Sequence, residues 1–178
     1  MNILHDISPE RIKPDDFVAC IEIEKGSKNK YELDKETGMI ILDRVLYTST
    51  HYPMNYGFIP RTLSGDDDPL DIFVLCSQPI EKMSLVRCYP IGVIYLTDRN
   101  ETDEKIIAIP FGDPQYNEYT DISELPSHII DELKHFLSVY KQLENKVVKV
   151  LKVGSHEQAK QTIKECIENY KKFRNLKK

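Results

Sequence analysis

Apolar and charged residues alternate with a period of two through much of the first 110 positions, and the period changes near Pro126. Residues 17–24 interleave apolar and acidic side chains, which predicts a strand, and residues 30–33 and 39–45 predict further strands. Residues 25–29, containing Gly26, Ser27 and Asn29, predict the hairpin loop between the first two. Residues 71–76, 84–97 and 105–110 predict further strands, whereas Tyr52 and Tyr56 fall in a Pro- and Gly-rich segment expected to be a loop. From Pro126 onward, Ile129, Ile130, Leu133, Phe136, Leu137, Tyr140 and Leu143 recur at helical spacing. Residues 147–153 then predict a short strand. Ser155 with Gln158 resembles a capping box opening a helix through Ala159, Ile163, Ile167 and Tyr170. The basic end, residues 171–178, complements the negative end of that helix. The expected class is α+β, mainly β, in a single domain spanning 1–178.

Composition narrows the function classes. A chain of 178 residues with 40% apolar content buries on the order of 70% of its unfolded surface in one core. A formal net charge of -5 argues against a nucleic-acid binder, which carries a basic excess. No stretch approaches the ~18 apolar residues of a membrane span, and residues 1–17 lack the pattern of a signal peptide. The expected location is the cytoplasm, with no membrane partner. Cys20, Cys76, Cys88 and Cys166 are scattered without a C-x-x-C pair, which predicts reduced structural thiols.

Candidate chemistry begins at Gly65. Asp66, Asp67, Asp68 and Asp71 run into an apolar strand, and Pro69 favours an extended backbone at Asp68. Asp66 and Asp68 then share a face, and Asp71 is placed to turn toward them. Carboxylates a few ångströms apart repel by roughly 3 kcal/mol per pair at an effective dielectric of about 20, so such a group holds a hard cation or shifts a pKa. The same residues also suit a solvated turn. A second acidic run, residues 97–105, places Asp98 and Asp103 at either foot of a hairpin. Lys30, Arg44, Tyr52, Tyr56 and Lys105 lie elsewhere in the β half, a mixture that suits a polyanion bound through metal. Lys30 and Glu32, two apart on one strand, equally suit a surface ion pair worth under about 1 kcal/mol, and Tyr140 falls on a helical core stripe.

The ordered residues Ile21-Glu22-Ile23, Lys25-Gly26-Ser27, Lys30-Tyr31-Glu32, Asp43-Arg44, Tyr52 to Gly57, Asp66-x-Asp68-Pro69-x-Asp71, Asp98 to Lys105 and Tyr140-Lys141 resemble the soluble family I inorganic pyrophosphatases. The resemblance implies a five-stranded OB-like β-barrel with two helices of the C-terminal half packed on it. It implies hydrolysis of pyrophosphate by a Mg-bridged hydroxide with Asp68 as general base, and several Mg2+ ions as cofactor. By the same resemblance Asp66, Asp71, Asp98 and Asp103 are metal ligands, and Glu22 and Glu32 order metal or water. Lys30, Arg44, Tyr56, Lys105, Tyr140 and Lys141 hold phosphoryl oxygens, and Tyr52 supports the leaving-group side. The short chain implies a homohexamer of two trimers.

Two departures stand out. Glu24 replaces the usual Pro after Ile-Glu-Ile and either adds a carboxylate near Glu22 or faces solvent; the chain also has no Trp. The rival classes are an OB-fold module for single-stranded nucleic acid, whose barrel face the aspartates contradict, and another Mg-dependent phosphohydrolase.

Overall fold

A computed structural model describes residues 2–98 and 100–176. Met1, Arg99 of the second acidic run, and Lys177 and Lys178 of the basic end lie outside the described residues. β1 (Ile12–Lys13), β2 (Asp16–Ile23), β3 (Asn29–Leu33), β4 (Ile40–Val45), β5 (Asn55–Ile59), β6 (Leu70–Val74), β7 (Leu85–Asp98) and β8 (Glu101–Pro110) come first. They are followed by α1 (Ser127–Val139), β9 (Val148–Gly154) and α2 (His156–Leu176).

Strands β2, β5, β6, β8 and β7 pair in that order, and β7 returns to β2, so five strands close into a ring. Closure removes the unpaired edges that an open sheet of this size exposes. Among the described residues only β6 and β8 run parallel. β9 extends the outer half of β7, while β3 and β4 form a separate two-stranded sheet. This is the expected OB-like architecture.

The ring strands are buried on both faces. Phe73 packs with Leu133, Phe136 and Leu137 of α1, while its neighbours Ile72 and Val74 pack with Phe17 and Ile21 of β2 and Ile163 of α2. Each such side chain contributes about 1.5–3 kcal/mol on burial, so the two helices are held by opposite faces of the same strands. The capping box that opens α2 is reciprocal: the Ser155 amide donates to Gln158 Oε1 at 3.0 Å, and the Gln158 amide donates to Ser155 Oγ at 3.4 Å. All four cysteines are free, and burial pushes the Cys20 and Cys166 thiols up to about 12, as suits packing residues.

Three expectations need correction. The Pro- and Gly-rich segment is not wholly loop, because residues 55–59 form β5 in the ring. Gly57 is there for contact: a Cβ at this position would lie 1.9 Å from the Cys20 carbonyl oxygen. The acidic run is strand from Glu101, so Asp103 sits within β8 opposite Leu96 rather than at a hairpin foot. Leu143 is 66% exposed, because α1 ends at Val139 and the chain makes a tight turn that closes with Asn145 in the left-handed region.

Candidate active site

Register brings the first charges together. Asp71 of β6 lies directly across from Lys105 of β8, and Asp103 precedes Lys105 by two residues, so all three face one side. Lys105 Nζ is 2.6 Å from Asp71 Oδ2 and 3.1 Å from Asp103 Oδ2, and it donates to the Tyr56 hydroxyl at 3.1 Å. Burial pulls the Lys105 pKa down, but Asp71, Tyr56 and Asp103 outweigh it and hold the ammonium well above its ordinary value. Burial also raises Asp103, against the attraction of Lys105. Tyr56 is held neutral by burial and by Asp71.

The turn between β5 and β6 is both a turn and a site. Asp66 Oδ1 accepts from Ser64 Oγ at 2.8 Å and from the Asp68 amide at 3.1 Å, and Asp67 takes a left-handed φ of 62°. Asp68 pairs with Lys35, a residue that lies beyond the periodic part of β3 and that no spacing singled out.

A β-bulge supplies Glu22. Ile21 pairs with Gly57 and Ile23 with Tyr56, so Glu22 is the extra residue and is turned out of the ladder. Its Oε1 accepts the Leu33 amide at 2.8 Å, which fastens β3 to the barrel. Burial raises the Glu22 carboxyl to about 7, in spite of that bond. Lys30 and Glu32 make the ion pair their spacing allowed and face the same cleft. Lys141 pairs with Asp98, and Tyr140 both packs on Phe136, with centroids 4.9 Å apart, and reaches the cleft wall.

These elements enclose a cleft of about 380 Å³. Glu22, Lys30, Glu32, Tyr56, Asp66, Asp68, Asp71, Asp98, Asp103, Lys105, Tyr140 and Lys141 line it, as does Lys35. Two expected site residues stand back. Arg44 is turned toward Asp43 and Glu144, and Tyr52 is buried behind the wall, 5.5 Å from Tyr56 and 4.9 Å from Phe136 between ring centroids. Glu24 pairs with Lys82 at 2.6 Å and is not among the lining groups.

The donor set fits hard cations, which take oxygen ligands. Seven carboxyl groups face four ammonium groups, so the wall is acidic in excess. Asp98 Oδ1 is buried with no hydrogen-bond partner, an acceptor whose satisfaction a cation would supply. Among the described residues no three carboxyl, imidazole or thiol groups already converge as a ligand cluster. Each aspartate is instead held separately: Asp66 within its own turn, Asp68 by Lys35, Asp71 and Asp103 by Lys105, and Asp98 by Lys141. Mutual repulsion opposes closer approach until further positive charge arrives.

A closed five-stranded barrel bearing a cleft of carboxylates, lysines and phenols is an OB-like scaffold turned to polyanion chemistry. The inorganic pyrophosphatase family model matches residues 19–171, which include every cleft residue named above. The chain is 47% identical over 179 aligned positions to soluble inorganic pyrophosphatase 2 of Chlamydomonas reinhardtii, covering 97% of this chain and 93% of that one. It is 45% identical to the inorganic pyrophosphatase of Aquifex pyrophilus, covering 94% and 96%. The solved inorganic pyrophosphatase of Helicobacter pylori superposes with a TM-score of 0.87 at 42% identity, covering 90% and 96%. The chain belongs to the inorganic pyrophosphatase family.

Proposed function

We propose that this protein hydrolyses inorganic pyrophosphate to two phosphates in a Mg2+-dependent reaction in the cytoplasm. The observation that carries the reading is the charge of the cleft, where carboxyl groups outnumber the ammonium groups meant to receive an anion. Such a wall repels pyrophosphate unless cations enter with it. Mg2+, when bound, would supply that charge and would lower the pKa of a water it holds toward neutrality. Asp66, Asp71, Asp98 and Asp103 are the groups that would hold it, with Glu22 and Glu32 ordering metal or water around them.

The remaining side chains act on substrate directly. Lys30, Arg44, Lys105 and Lys141 bind phosphoryl oxygens and neutralise the charge that develops as one phosphate leaves. Tyr56 and Tyr140 donate hydroxyl hydrogens to the same oxygens, and Tyr52 keeps Tyr56 in place from behind. Asp68, on a half-exposed turn and free to move once Lys35 lets go, accepts the proton of the attacking water.

Phosphate release from pyrophosphate, ATP and nitrophenyl phosphate tests the reading. Fast release from pyrophosphate alone with Mg2+, abolished by EDTA, is the expected result. Ca2+ is larger and acidifies water less, so it is expected to inhibit rather than substitute. Equal turnover of all three substrates would favour a general phosphohydrolase, and activity in EDTA or parity of Ca2+ with Mg2+ would defeat the metal assignment.

Assembly belongs to the same reading. Met39, Ile41, Tyr47, Val147 and Leu151 are each more than half exposed in the isolated chain, and symmetric contacts between copies cover surface of this kind. A homohexamer of two trimers is expected. Light scattering at micromolar concentration should return six times the chain mass of 20.7 kDa, and a monomer would refute it.

A further inference from the structure

The cleft has two parts. Its aspartates stand on the barrel strands and the turn between β5 and β6, whereas Lys30 and Glu32 stand on the β3–β4 sheet, which also carries Arg44 behind the cleft and shares no ladder with the ring. The Glu22 bond to the Leu33 amide ties one end of that sheet down. Lys35 adds a tie to Asp68, and a further tie is Arg44, whose Nε lies 2.9 Å from Glu144 Oε1 on the turn that follows Tyr140 and Lys141.

Glu144 is unusually placed for a carboxylate. Its side chain is 7% exposed, against 19% for Arg44 and 34% for Asp43, and its other cation, Lys146, is 3.6 Å away. Its Oε2 is buried and without a hydrogen bond, as is Arg44 Nε, so the contact is ionic and imperfectly aligned. A buried carboxylate of this kind is costly unless a charge holds it, and Arg44 is the nearest one.

Asp43, not Glu144, holds the terminal end of Arg44. Lys30 pairs with Arg44 and Tyr31 with Leu42, so Asp43 is a bulge residue and shares a side with Arg44 instead of opposing it. Asp43 Oδ2 consequently touches Arg44 Nη1 and lies 3.5 Å from Lys30 Nζ, which lines the cleft. Glu144 therefore holds the guanidinium by its Nε edge, while Nη1 is engaged by Asp43 on the side of Lys30, where an incoming phosphoryl group would have to replace the carboxylate.

We infer that Glu144 is a positioning residue: by gripping the Nε edge of Arg44 it aims the terminal nitrogens at a phosphoryl group beside Lys30 and locks the β3–β4 sheet to the segment carrying Tyr140 and Lys141. The inference rests on the pyrophosphate reading. A fork aimed this way binds two oxygens of one phosphate, which an ammonium does not.

Steady-state kinetics of E144Q, R44K and the double variant at saturating Mg2+ decide it. E144Q is expected to raise the KM for pyrophosphate about tenfold, the scale of one charge-assisted contact, with kcat within about threefold of wild type. In the R44K background E144Q should add nothing, since no fork remains to aim. An equal rise in KM in both backgrounds, a loss confined to kcat, or a wild-type KM would overturn the inference. Should E144Q fail to fold, E144D keeps the charge but withdraws it from Nε; a KM about threefold higher is expected, and an unchanged KM overturns the idea. Affinity for inorganic phosphate, measured by calorimetry, should fall in E144Q by the same factor as KM rises. That measurement still decides the role of Glu144 if the wild type proves inactive on pyrophosphate, an outcome that would defeat the functional reading alone.

Discussion

Lys105→Met is expected to destabilise the metal-free protein by about 2–3 kcal/mol, to remove nearly all turnover, and to be rescued by Mg2+ in stability but not in activity. Lys105 is buried at 6% exposure with Asp71 and Asp103 within 3.1 Å. Removing one partner from a buried ion pair typically costs about 3–5 kcal/mol. The lower figure applies because Asp71 and Asp103 keep 28% and 22% of their side-chain surface in water, which screens the exposed charge. The pH dependence has a definite sign. The Lys105 pKa lies above its ordinary 10.5, so the stabilisation it gives is complete below that pH and is lost only as pH climbs through the folded value. At neutral pH the wild type therefore keeps all of it. In the variant Asp103, already raised by burial, loses the cation that opposed the rise. A carboxyl with a raised folded pKa favours the fold most below its ordinary 3.8 and withdraws that support as pH rises. The deficit of Lys105→Met should thus be smallest at acid pH and grow as pH rises toward neutral. Urea midpoints across that range, with and without Mg2+, check this; an equal deficit at both ends, or no response to Mg2+, would show that packing of the lysine stem dominates.

The same contacts explain which parts of the molecule were legible in the chain. A period of two placed Lys30 beside Glu32, because alternation along a strand is fixed by backbone geometry alone, whereas the pairing of Asp103 with Lys105 was missed because the strand was expected to begin only at Lys105. Helical spacing found Leu133, Phe136, Leu137 and Tyr140, but it also claimed Leu143, since periodicity does not register where a helix stops. The strand at residues 55–59 was hidden because Pro53 and Gly57 signal turns. Gly57 is instead required by the approach of the Cys20 carbonyl, a contact between strands 37 residues apart. Cross-strand neighbours such as Asp71 and Lys105 depend on a parallel register that no local pattern encodes. Lys35 and Glu144 escaped for a related reason. Both sit just past periodic elements, and their partners, Asp68 and Arg44, are distant in the chain. Glu22 was found by family resemblance, yet its orientation comes from a bulge that alternation does not predict.

Asp68→Asn is expected to lower turnover by about 10² to 10⁴, the range for losing a general base, while leaving fold and Mg2+ requirement nearly intact. The structure makes this a clean substitution. Asp68 and its partner Lys35 are 54% and 57% exposed in their side chains, so the lost ion pair costs under about 1 kcal/mol and cannot unfold the protein. The amide hydrogen bond from Asp68 to Asp66 Oδ1 is made by the backbone and survives the change, so the turn that presents Asp66 should persist. An amide keeps the size of the side chain and loses its charge and its capacity to accept a proton. Part of the lost rate should return at higher pH, where more of the attacking water ionises without help. Asp71→Asn supplies the contrast. It removes a negative group that holds the buried Lys105 at 2.6 Å, and under the proposed assignment it also removes a metal ligand. That variant should therefore melt earlier and need more Mg2+ at every pH. Titrating Mg2+ against hydrolysis rate for both variants across pH separates the two roles. Near wild-type turnover in Asp68→Asn would take the base role from Asp68, whereas a raised Mg2+ requirement with unchanged maximal rate would move it among the ligands.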